Sequence, residues 1–330
     1  MRSYVFSISR RTAVSALAAL ALLPAAHAKG VAWPSAQPIV LVSSQAPGGT
    51  TDLLARLLAG KLQERLGITV VVQHRDGAGG TVAANFVSKA QPDGYTFLVA
   101  SSEPLVLAGA LNPNLPYKPT SDFTPVASLA LGSWALAAHE KSGLGTVADV
   151  VSRSKEEKIS FGSIGSGTPQ HIVGEMFNAA TGAKIQHRSY QDAAPLLKDL
   201  QSGEVAMAFE NPAFIKSQMQ GGQIKVLAMT SAQRSAVFPE VPTLAESGVT
   251  GFDAAPWYGL LAPAGLPKAI SKRLYTEVQA IMASTLAKTR LNALGAEPLV
   301  MKPAAFQKLI AADIQKWTAA VPASESKKGD

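Results

Sequence analysis

Pro38-Ile39-Val40-Leu41-Val42 is an apolar run that enters the turn Pro47-Gly48-Gly49-Thr50-Thr51-Asp52, and the residues beyond the turn carry helical periodicity. A strand that passes through a glycine-rich turn into a helix leaves backbone N–H groups free. The helix dipole adds about half a positive charge at its first turn. The stretch therefore predicts a site for a carboxylate or a phosphate. The plainer alternative is that the glycines only turn tightly.

The same device recurs at Ile159-Ser160-Phe161-Gly162-Ser163-Ile164-Gly165-Ser166-Gly167-Thr168-Pro169. A short strand meets a Ser/Gly loop and then a helix running to about residue 180. Thr168 suits the N-cap and Pro169 the first helical position, where a missing N–H costs nothing. Two anion-ready loops so far apart in the chain suggest two lobes facing one ligand.

Outward from these loops, strand-like runs at 69–73, 96–100, 185–188, 205–209 and 224–230 alternate with helical stretches at 52–66, 82–90, 147–154, 193–202 and 274–283. Such alternation predicts an α/β protein with largely parallel sheets flanked by helices. Pro- and Gly-rich punctuation near 112–125, 238–242 and 263–267 marks candidate crossovers, and the charged tail 324–330 reads as frayed.

Residues 1–28 hold Arg2, Arg10 and Arg11, no acid, an apolar stretch from Ala13 to Leu23, and Ala26-His27-Ala28 ahead of Lys29. This is the pattern of a cleaved secretory signal, too short in its apolar part to span a bilayer. Ser9-Arg10-Arg11 leaves both the general and the twin-arginine export routes open. With no cysteine in 330 residues, the exported chain has neither disulfide nor thiolate metal site and must rely on its hydrophobic core. The length favours two domains. Three of the 30 basic residues fall in the leader, so the formal net charge of +7 overstates the basicity of the mature chain, and aromatics make up only 6%. Nothing indicates a nucleic-acid surface.

Enzyme motifs fail on inspection. Ser163 follows Gly162 directly, so the Gly-x-Ser-x-Gly elbow is absent, and Ser152 and Lys155 lack the companion motifs that give such a pair meaning. His74, His139, His171 and His187 are scattered, so no metal is expected. The run Gly77–Gly80 misses the dinucleotide spacing, reads as a tight turn, and no cofactor is expected.

The motifs taken together resemble a family. Trp33-Pro34, Pro38-Ile39, Pro47-Gly48-Gly49-Thr50-Thr51-Asp52, Arg75-Asp76-Gly77-Ala78-Gly79-Gly80 and Pro92-Asp93-Gly94-Tyr95-Thr96 occur in order. Gly162-Ser163 with Gly165-Ser166-Gly167 and His171, Asp122-Phe123-Thr124-Pro125-Val126, Phe238-Pro239-Glu240-Val241-Pro242 and Trp257-Tyr258-Gly259-Leu260-Leu261-Ala262-Pro263 follow suit. They are similar to the solute receptors of tripartite tricarboxylate transporters, the Bug family, over essentially the whole mature chain.

The resemblance implies a monomeric periplasmic binding protein with two lobes, 34–130 plus 253–330 and 131–252. It implies a small carboxylate ligand in the cleft between them, delivery to integral-membrane permease subunits, and no catalysis. It also implies that backbone amides and hydroxyls hold the carboxylate, which here places the contacts at Ser43, Ser44, Gly48, Gly49, Thr50 and Asp52, then Ser163, Ser166, Gly167, Thr168 and His171. His171 either faces the cleft or packs beside it, and Trp257 and Tyr258 read as hinge packing. The competing class is a cleft enzyme of carboxylate metabolism.

Two departures bear on specificity. Where the family usually reads Val-Pro-Phe-Pro-Pro-Gly-Gly, this chain has Val42-Ser43-Ser44-Gln45-Ala46-Pro47-Gly48, which makes Gln45 a further candidate contact. Where the family tends to have His-Val-Pro-Tyr-Lys-Gly, this chain has His187-Arg188-Ser189-Tyr190-Gln191-Asp192. In one expectation Asp192 caps a helix and Arg188 ends a strand in solvent. In the other, Arg188 pairs a second ligand carboxylate, or Asp192 takes a ligand ammonium, with Tyr190 between them.

Overall fold

The computed structural model describes residues 33–321, residue 36 excepted. The leader and the charged tail read from the sequence lie outside the described residues.

The chain builds two sheets. The first contains β1 (Ile39–Ser43), β2 (Val70–His74), β3 (Thr96–Ser101), β4 (Phe123–Leu131), β10 (Trp257–Pro263) and β11 (Glu297–Pro298), in the spatial order β11-β4-β10-β3-β1-β2. The second contains β5 (Ala135–His139), β6 (Ser160–Ser163), β7 (Gln186–Ser189), β8 (Met207–Glu210) and β9 (Ile224–Met229), in the order β7-β6-β8-β5-β9.

In the first sheet β1 is continuously apolar because both faces are covered, and Ile39, Leu41 and Val42 are fully buried. Helix α1 (Thr50–Leu66) lays Leu54, Ala55, Leu58 and Leu62 against it at three- and four-residue spacing. Helix α2 (Thr81–Ser88) buries Ala83, Ala84 and Val87, and a single helical turn, α3 (Ala108–Leu111), precedes β4. The second sheet is flanked by α4 (Val147–Glu156), α5 (Pro169–Thr181), α6 (Ala193–Ser202) and α7 (Pro212–Gln218). Phe161, Phe177 and Phe209 are fully buried around it. Helices α8 (Lys268–Met282), α9 (Thr285–Ala293) and α10 (Pro303–Ala320) close the chain, and α10 touches β4 and α3 of the first unit as well as α5 of the second.

Strands β1, β2 and β3 pair in parallel, as do β6, β7 and β8. The strands that differ are those joining the units. Strand β10 is antiparallel to both β3 and β4, and β5 to both β8 and β9. Each sheet is thus a parallel block completed by one strand that enters from the other unit and runs the opposite way, and the first sheet adds the short β11, antiparallel to β4, at its edge.

The two crossings, at 132–134 and 230–256, lie side by side. Trp134 and Thr230 exchange two bonds, from the Trp134 N–H to Thr230 Oγ1 at 2.9 Å and from the Thr230 N–H to the Trp134 carbonyl at 2.9 Å. The Gly132 N–H reaches the Pro256 carbonyl at 2.7 Å, and Ser231 Oγ meets Ser133 Oγ at 2.9 Å. Just beyond, the Trp257 indole donates to Asp313 of α10 at 3.0 Å and meets the Phe306 ring edge to face, at 5.0 Å and 87°.

Candidate ligand cleft

The first glycine loop is held by its own side chains. Asp52, the third residue of α1, accepts the Gly48 N–H at 2.9 Å and is gripped by His74 Nε2 at 2.7 Å and by Arg56 Nε at 2.8 Å. Burial opposes ionisation of Asp52, but these three contacts outweigh it and hold the carboxyl below its ordinary value. Ser43 Oγ donates to the Gln45 carbonyl at 2.9 Å and lies 3.0 Å from Thr51 Oγ1. Gln45 turns back on the loop, and its side-chain carbonyl accepts the Thr51 N–H at 3.0 Å. That fold-back needs glycine at 49, where a Cβ would come 2.8 Å from that of Gln45. Helix α1 has no side-chain cap of its own, so Gln45 supplies an acceptor to one of its orphan donors. Ser44 is buried and its hydroxyl finds no partner among the described residues. Thr50 lies near Tyr258 of β10, whose phenol is pushed up by burial.

The second loop is built alike. Thr168 caps α5 and donates to the Gly165 carbonyl at 2.7 Å. Ser163, fully buried, donates to the same carbonyl at 2.9 Å and touches His187 Nε2 at 2.7 Å. His171 Nδ1 accepts the Gly167 N–H at 2.9 Å, and its ring lies on that of His187 with centroids 3.9 Å apart. Ser166 stays exposed at the tip. The loop faces the first unit: a Cβ on Gly167 would stand 3.6 Å from Leu111 of α3.

The end of β7 and the segment after it form a network of their own. Arg188 pairs with Asp199 at 2.9 Å and donates to the Glu204 carbonyl, and the Tyr190 hydroxyl donates to the same Asp199 carboxylate at 2.9 Å. Asp192 caps α6 by accepting the Ala194 N–H at 2.9 Å.

Between the two sheets lies a cavity of about 70 Å³, several times the roughly 10–15 Å³ that one water needs on that measure. Gln45 reaches it from the first loop and Pro169 from the second, so both glycine loops border one space. The rest of its wall includes residues that sequence reasoning passed over, Ser101 at the end of β3, Glu103 just beyond it, Trp134 on one crossing and Trp317 on α10, together with Tyr258 on β10, which the sequence reading gave to hinge packing. Glu103 had a visible signal, since it is a lone acid between the apolar runs Thr96–Ala100 and Leu105–Leu107. Burial pushes its carboxyl up to about 7. Among the described residues no group of three or more potential ligands is placed to hold a metal ion, and no helix is long and apolar enough to cross a membrane.

Residues 54–325 match the family model described as the tripartite tricarboxylate transporter family receptor. Protein BugT of Bordetella pertussis is 35% identical over 289 residues, covering 87% of this chain and 89% of its own. A Rhodopseudomonas palustris protein solved with adipate shares 33% identity at a TM-score of 0.73, covering 89% of this chain and 98% of the other. The MatC protein of the same organism, solved with malate, shares 29% identity at a TM-score of 0.70, covering 87% and 100%.

Proposed function

Because the chain belongs to the tripartite tricarboxylate transporter receptor family, whose members are periplasmic solute receptors, we propose that it captures a small carboxylate between its lobes and hands it to the membrane permease of such a system. The observation that carries this is the shared cavity: Gln45 of one glycine loop and Pro169 of the other line the same space although they belong to different sheets. Adipate and malate in the two related structures favour a carboxylate.

The division of labour follows from the hydrogen bonds. Ser43, Asp52, Ser163 and His171 hold the loops in shape, the Gly49 and Gly167 N–H groups are taken by the Ala46 carbonyl and by His171 Nδ1, and the Ser166 amide and the Thr50 hydroxyl are left for the ligand. Arg188, Tyr190 and Asp192 serve α6 and the edge of its sheet. The lobes are 34–130 with 253–330, and 131–252, hinged at the paired crossings, and the chain acts as a monomer exported by its cleaved leader.

Thermal shift with a panel of organic acids tests the function. Saturable stabilisation growing as RT ln(1 + [L]/Kd), with the ligand recovered unchanged, is expected. Consumption of the acid would make the protein an enzyme. Scattering is expected to show compaction on binding, since the ligand favours the closed form by its differential affinity.

A further inference from the structure

The cavity wall carries one carboxylic side chain and no lysine, arginine or histidine. That is an odd lining for a space meant to hold only anions. The acid is Glu103, and the structure makes room for it deliberately. The glycine run Gly77–Gly80, which no ligand motif explains, packs beneath it: Gly79 has φ 62°, and a Cβ there would lie 3.1 Å from Glu103 Oε1. Burial pushes the Glu103 carboxyl up, and among the described residues no hydrogen bond or ion pair reaches it. A half-buried carboxyl without a counter-ion is costly, and the cost disappears when a ligand brings the opposite charge.

Three aromatic side chains border the same space. Trp134 comes from the crossing between the sheets, Tyr258 from β10 and Trp317 from α10. The Tyr258 phenol is close enough to Glu103 for the acid's charge to oppose its ionisation. The Trp134 indole N–H is buried with no acceptor among the described residues, which leaves a donor for a ligand oxygen. Aromatic rings grouped with an acid are the surroundings that attract ammonium groups, through the negative face of each ring.

The geometry points to a zwitterionic ligand: a small carboxylic acid that also bears an ammonium group, with Glu103, Trp134, Tyr258 and Trp317 forming the ammonium subsite. This rests on the carboxylate-receptor function proposed above and adds the second charge to it. The carboxylate goes to the amides and hydroxyls of the glycine loops, and the ammonium to Glu103.

Titration calorimetry at pH 8 on the mature chain tests this with matched isosteres that differ by nitrogen for carbon. The pairs are glycine betaine against 3,3-dimethylbutanoate, and 4-aminobutanoate against pentanoate, run beside a series of plain four- to six-carbon dicarboxylates. In at least one pair the nitrogen member is expected to bind ten times more tightly or better, the ratio one charge-assisted contact supplies. Glu103→Gln is expected to erase that ratio. If Glu103→Gln fails to fold, Trp317→Leu removes one aromatic wall instead and is expected to weaken the nitrogen member severalfold while sparing its carbon isostere. Equal or tighter binding of the carbon members overturns the ammonium subsite, as does a ratio that survives Glu103→Gln. Binding of the plain dicarboxylates alone overturns it too, yet leaves the receptor function standing. Binding of no acid of either kind overturns both.

Discussion

Gln45 puts its side-chain carbonyl 3.0 Å from the backbone nitrogen of Thr51 and so fills, from outside the helix, an acceptor position at the first turn of α1. The bond stabilises the empty protein and at the same time occupies a donor that an anion would use. Gln45→Ala is therefore expected to lower stability by about 1 kcal/mol in urea titration and to raise carboxylate affinity severalfold. A variant that changes neither quantity refutes this role.

Thr50 and Ser163 are both hydroxyl residues of glycine loops, but their surroundings separate them. Thr50 opens α1 and offers its hydroxyl to the ligand, so Thr50→Val is expected to weaken the best carboxylate ten- to hundredfold with an unchanged melting temperature. Thr50→Ser should keep most of the affinity. Ser163 bridges Gly165 and His187, and Ser163→Ala is expected to lose stability and affinity together. The comparison of melting curves with calorimetry decides between the two patterns.

Glu210, at the end of β8, is 8% exposed and has one carboxylate oxygen without a partner. Burial raises its carboxyl from 4.5 to about 7, against the opposing bonds from the Asn211 N–H and from Gln170. The folded value lies above the unfolded one, so the stability tied to its proton is complete below about 4.5 and lost as pH rises through about 7. Wild type should thus be roughly 2 kcal/mol less stable at pH 8 than at pH 5 through this group. Glu210→Gln is expected to remove that slope. Denaturant titrations of both proteins at the two pH values measure it, and parallel pH profiles would contradict the assignment.

Asp313 ties α10 to the hinge region by accepting the buried Trp257 indole N–H at 3.0 Å and pairing Lys316 at 2.7 Å. Asp313→Ala leaves that indole without an acceptor, and a loss of about 2–3 kcal/mol is expected by urea unfolding. Asp313→Asn, which keeps an acceptor, should lose less than half as much. Equal losses would show that the contact is incidental.

Much of this architecture was legible because local chemistry and global fold agree. Helix α6 spans 193–202 as the pattern implied, and Thr168, Pro169 and Asp192 sit where their capping chemistry places them. What stayed hidden was set by tertiary contact. Strand β5, Ala135–His139, is an alanine-rich run with no period to show its direction. Strand β10 reads locally as a hinge, because its Trp257 and Gly259 answer to Phe306 of a distant helix. In the cleft the sequence drew attention to hydroxyls and glycines, whereas Glu103, Trp134 and Trp317 come together only when three remote segments meet.

Strand β10 fills the gap between β3 and β4, so Leu261 must find Leu98 across about half of the chain before the first sheet is whole. The strands of the second sheet all lie within 135–229 and are synthesised before that gap can be filled. The unit that begins first therefore finishes last, and its closure depends on contacts of high sequence separation, which form slowly. A chain interrupted before Trp257 bares the facing edges of β3 and β4, each a row of unpaired N–H and C=O groups open to a strand from another molecule. Truncation or stalled synthesis consequently produces an aggregation template.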